Sequence, residues 1–129
     1  MRIEEVLTAR LRTDPGVSAL VGNRIYPGKA PQGTTSAYIV YDLLGGENVG
    51  AHDGFTGLRS GRISFASCAP KYGEAKAVAE AVRLALAGWR GVQGGLEISV
   101  PQVFEDEDLW DDTLSLHVIV VDMEMYWRG

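Results

Sequence analysis

The sequence predicts an α+β fold, a mostly antiparallel sheet of about four to five strands packed by two main helices. Two observations predict it: two stretches place apolar residues at helical spacing, and five other segments have the aromatic and β-branched make-up of strands. With 129 residues, 46% hydrophobic and 22% charged, the chain has the length and mixture of one globular domain spanning 1–129 rather than of a disordered tract.

Ile3, Val6, Leu7 and Leu11 share one side of a helix over residues 2–13, with Arg2, Glu5 and Arg12 outward. Asp14-Pro15-Gly16 ends it, because the residue before a proline is pushed out of the α region. Asp14 then caps a short second turn through Val17, Leu20 and Val21, with Gly22 as its terminator. Pro27, Gly28, Pro31 and Gly33 make residues 23–36 a loop with at most a short strand at Arg24–Tyr26. Ala37–Leu44 (AYIVYDLL) reads as a strand. Residues 45–59 hold five glycines and no period, so they read as a long flexible connection of the kind that usually carries function.

Arg62–Ala69 resumes as a strand with Ile63 and Phe65 on one face. From Tyr72 to Ala87 the residues Ala75, Val78, Ala79, Val82, Ala85 and Leu86 form one helical stripe, whose alanines imply close packing on a sheet. Gly88 stops that helix. After a glycine-rich turn at Gly91, Gly94 and Gly95, Leu96–Phe104 and Thr113–Trp127 read as strands flanking an acidic hairpin turn over 105–112.

The last strand is apolar on both faces: Leu114, Leu116, Val118 and Val120 on one, Ile119, Val121, Met123 and Met125 on the other. A sheet covered by helices on one side should show a polar outer face. The second face is therefore covered by another segment of the chain or by a neighbouring copy.

Charge placement narrows the function. The net charge is −5, yet residues 105–129 hold eight acids (Glu105, Asp106, Glu107, Asp108, Asp111, Asp112, Asp122, Glu124) against one base, Arg128. The remainder is nearly neutral and shows no basic face for gripping phosphates, which disfavours nucleic-acid binding. No run approaches the ~20 apolar residues of a membrane span, and Arg2, Glu4 and Glu5 stand where a secretory signal needs an apolar block. The lone Cys68 excludes an internal disulfide and a cysteine-based zinc site.

A catalytic constellation is not found. There is no Gly-x-Ser-x-Gly elbow, Cys68 falls within a strand, and His52 and His117 lie in different elements. His52-Asp53 in the glycine loop is at most half of an acid–base pair. Gly45, Gly46 and Gly50 lack the Gly-Lys-Ser/Thr that completes a phosphate loop. The acidic segment departs from the calcium-loop pattern, since Trp110 stands at its fifth position and the required glycine is missing. The reading therefore assigns no cofactor and no metal. Trp110, apolar among acids, either anchors a contact or folds back on the hairpin.

Several stretches, in order, resemble the phage tail-completion family, the tail-terminator and tail-to-head joining proteins of long-tailed phages, prophages and gene-transfer agents. They are Ala19–Pro27 (ALVGNRIYP), Ala30–Gly33 (APQG), Tyr38–Tyr41 (YIVY), His52–Gly54, Arg62–Phe65 (RISF) and Tyr72–Ala77 (YGEAKA). The series covers nearly the whole chain; Ala37 departs from it where the family often has proline. The resemblance implies a structural, non-catalytic role in a ring, typically hexameric, that caps the tail tube and faces the head connector. It implies the tail tube protein and the connector protein as partners. It also implies assembly in the bacterial cytoplasm before incorporation into the particle. Glu47, His52, Phe55 and Leu58 of the glycine loop, with Trp110, Val121, Met123 and Met125, are the candidate subunit or tail contacts. Glu105, Asp106, Glu107, Asp108, Asp111 and Asp112 are candidates for lining the lumen, where negative potential would keep DNA from sticking. A small dimeric adaptor without enzymatic activity is the competing reading.

Overall fold

A computed structural model describes residues 2–48 and 59–129, with backbone alone at 45–48, 101, 102 and 104–106. Among the described residues it contains three helices and six strands. Helix α1 (Ile3–Thr13) buries Ile3, Val6, Leu7 and Leu11, and places Glu4 and Glu5 in its first turn and Arg10 and Arg12 in its last, as the helix dipole favours. Asp14 ends α1 and starts α2 (Pro15–Val21), its carboxylate accepting the Val17 N–H at 3.0 Å. Such a cap, with proline at the first position, contributes about 1 kcal/mol.

Strand β1 (Ile25–Pro27) pairs parallel to β2 (Tyr38–Asn48), and β2 pairs antiparallel to β3 (Arg59–Ala69). Helix α3 (Tyr72–Leu86) follows, then β4 (Arg90–Gln93), β5 (Leu96–Asp111) and β6 (Leu116–Arg128). The strand order is β1-β2-β3-β6-β5-β4, and every pairing after the first is antiparallel.

The sheet departs from the sequence reading in three places. Residues 45–59 are not all connection: β2 runs to Asn48 past a bulge between Leu43 and Gly46, and β3 begins at Arg59. The glycine-rich turn contains a strand, because Gly94 (φ 60°) and Gly95 (φ 81°) form a two-residue hairpin loop whose left-handed positions favour glycine. The acidic stretch is strand rather than turn. β5 carries it as far as Asp111, and the chain reverses only at residues 112–115, where Asp111 accepts the Leu114 N–H at 2.9 Å. The apolar β6 pairs with that strand residue by residue, Glu107 opposite Val120 and Leu109 opposite Val118.

All three helices cover one face of this sheet. α3 lies across β3, β6 and β5 with α1 and α2 beside it, and the three bury a common core with Ile39, Phe65, Val121 and Met123. Arg10 fastens α1 to the far end of α3, its Nε donating to the Ala85 carbonyl at 2.9 Å and its guanidinium lying 4.3 Å from the Trp89 ring centre.

Candidate assembly interface

Alternation along β6 decides which side chains remain for contacts. Ile119, Val121, Met123 and Met125 point to the helices and are at most 1% exposed. The expectation that Val121, Met123 and Met125 form a subunit contact is therefore corrected, since α1, α2 and α3 cover them within one protomer. Among the described residues no helix covers the opposite face.

That outer face has two halves. Toward the end where Arg59 pairs with Trp127 it is charged, with Arg62 and Asp122 3.9 Å apart and Arg128 and Glu97 2.6 Å apart. Toward the end where Ala69 pairs with His117 it is apolar. Tyr38, Cys68 and Leu116 are buried there, and Tyr26, Ala30, Val40, Ala66 and Val118 pack against them half-covered. The loop carrying Ala30 folds over part of this strip and leaves the rest to solvent.

The β5–β6 tip continues both faces: Leu109, opposite Val118, lies on the outer one and Trp110, opposite His117, on the helix side. Leu109 (46%), Trp110 (51%) and Leu114 (59%) are all exposed there. Of the two roles the sequence left open for Trp110, the side chain shows the fold back on the hairpin. Its ring lies 4.8 Å from the His117 ring and its Nε1–H donates to Asp112 at 2.6 Å, yet half of it faces water. Asp108 anchors the base of the tip to α3, accepting from the Tyr72 hydroxyl at 2.9 Å with the Lys76 ammonium at 3.6 Å.

The remaining candidates separate in space. Glu47 lies on β2 at the sheet end away from the tip; its side chain, like those of Glu105 and Asp106 on β5, is outside the description. His52, Phe55 and Leu58 lie outside the described residues altogether. Asp108 sits on the helix face while Glu107 and Asp111 share the outer one, so the acids form no single cluster. Among the described residues no group of His, Cys, Asp and Glu is arranged to hold a metal, and no helix is long and apolar enough to cross a membrane.

Cys68 is unsuited to nucleophilic work. Burial pushes its thiol from the usual 9.0 up to about 11, against a smaller opposing effect of the Tyr38 hydroxyl. Burial likewise pushes Tyr38 up to about 12. Both groups ionise more readily in the unfolded chain, so their contribution to stability is complete below about pH 9 and declines as pH rises through about 11. Thermal unfolding followed from about pH 8 to about pH 11 is expected to show this decline, and Cys68→Ala should flatten its lower part.

The decisive finding is a match of residues 5–127 to the family model for tail completion protein gp17. The chain belongs to this family. A tail completion protein is a structural component of phage tail assembly, not an enzyme. The fold recurs in a chain from the virion of a native gene transfer agent particle, 19% identical, with a TM-score of 0.66 over 98% of this chain and 95% of that one. It recurs in a second solved structure, 11% identical, with a TM-score of 0.69 over 100% of this chain and 98% of the other. No curated protein matches the chain.

For a tail completion protein, the useful residues are those that the elements leave uncovered. Sequence reading missed Leu109 and Leu114 as exposed tip residues, and Val40 and Ala66 as outer-face residues. A period-2 count along β2 and β3 groups Val40 with Asp42 and Ala66 with Ser64, which is the signal that marks this as the outer side.

Proposed function

We propose that the chain assembles into a hexameric ring that caps the tail tube and joins it to the head connector. The observation that carries this reading is the one-sided covering of the sheet in a tail completion protein. One face is sealed by helices, while the other keeps a half-covered apolar strip that runs on to Leu109, and the tip beyond it exposes Trp110 and Leu114 as well. Exposed apolar groups rimmed by carboxylates suit contacts that form once and persist, and their burial would stabilise the ring-bearing particle by about 25 cal/mol per Å² before association costs.

In this reading the tail tube protein and the connector are the partners. The chain is made and recruited in the bacterial cytoplasm and ends in the particle. Particles assembled without the chain test it: the expected products are heads separated from tails and tubes of irregular ends, restored by supplying the protein. Intact head–tail particles formed without it would refute the joining role.

A further inference from the structure

The two lateral flanks of the sheet differ in charge and in how their strand edges are finished. At one flank lies β1, whose main chain is closed. The Ile25 N–H donates to Asn23 O at 2.9 Å, and the Ile25 carbonyl accepts from Arg12 Nη2 at 3.2 Å. Pro27 has no N–H, and its carbonyl accepts the Lys29 N–H at 2.8 Å. A further strand cannot add there, so any contact must use side chains. Those side chains are basic: Arg12 and Lys29 are exposed, Arg24 is partly so, and none is ion-paired among the described residues.

At the opposite flank β4 pairs only with Leu96–Ser99, which leaves β5 from Gln102 to Asp111 as the edge among the described residues. This stretch is acidic. Glu107 is exposed and Asp111 partly so, Asp112 is exposed just beyond them in the turn, and none of the three has a cation among the described residues. Leu20 (37% exposed) stands beside Arg24 on the first flank, and Leu109 (46%) stands beside Asp108 on the bare β5 edge.

We propose that the acidic β5 flank of one copy docks on the basic α1–β1 flank of the next. This rests on the ring reading and names its lateral contact. Two different, complementary surfaces on opposite sides of a protomer make a head-to-tail contact, and such a contact closes into a ring when its rotation permits, whereas a two-fold dimer needs one self-complementary patch. Opposite charge on the two flanks sets the direction of addition, and the aliphatic pair supplies an apolar centre within a charged rim. The β5 carboxylates then lie between subunits rather than around a lumen.

Charge reversal tests this. Glu107→Lys with Asp111→Lys alters one flank and Arg12→Glu with Lys29→Glu the other; circular dichroism establishes that each variant folds. Glu107→Lys and Lys29→Glu alone serve if a double variant does not fold, since neither side chain makes an ion pair or hydrogen bond among the described residues. Assembly is read by mass photometry and by imaging, for the protein alone and on isolated tail tubes. Each one-sided reversal should raise the concentration needed for rings at least about tenfold, and combining both reversals should restore it to within about threefold. Folded one-sided variants that form rings as well as the unaltered protein would overturn the flank assignment and leave the ring reading standing. Such rings that instead retain DNA would place the carboxylates in the lumen, which also overturns it. If the unaltered protein forms no ring alone or on tubes, the ring reading fails and this contact with it.

Discussion

Met123→Ala is expected to destabilise the isolated protomer by about 2–5 kcal/mol, because it removes a fully buried side chain and leaves a cavity. Met123 is 0% exposed, stands opposite Ile63 on β3, and lies in the core that α1, α2 and α3 close. Urea unfolding at a concentration too low for assembly reads the effect directly, as a lowered midpoint with unchanged slope. The result also separates a core residue from an interface residue. An interface methionine would leave the protomer's midpoint where it was and weaken only association.

Trp110→Ala is expected to do the reverse. The indole makes one ring contact with His117 and one hydrogen bond with Asp112, both at an exposed tip, so its loss should cost the protomer about 1 kcal/mol or less. As the large half-exposed aromatic of the tip, it should contribute at least about 2 kcal/mol to a tail contact, roughly thirtyfold in affinity. Binding of the folded variant to isolated tail tubes and to connector-bearing heads measures this. A variant that binds both like the unaltered protein would remove the tip from the contact surface.

Those opposite expectations for two residues of one hairpin show what the sequence made legible. Local signals were sufficient for α1, for the Asp14-Pro15 start of α2, for the alanine stripe of α3 and for the strand at Ala37–Leu44, each determined by a few adjacent residues. β4 was not legible, because Arg90–Gln93 has no internal pattern and Val92 is 72% exposed; its strand exists through pairing with β5. The acidic run misled for a related reason. Four consecutive acids resemble a turn, but β6 offers a long apolar partner that holds them extended. Alternation along β6 correctly gave two apolar faces, yet which face the helices take depends on where α3 crosses the sheet. That choice put Met123 inside and left Val118 half-covered. Trp110 was legible as an anomaly, although its two contacts depend on His117 and Asp112 being brought beside it.

In the proposed assembly this sheet, sealed on one side, is completed on its other surfaces by the tail and by further copies. Electron micrographs of isolated tail tubes incubated with the purified protein test it most directly. The account predicts one ring-shaped cap at a single end of each tube, built from several copies and lost with Trp110→Ala. Bare tubes beside monomers or compact dimers of the protein would contradict it.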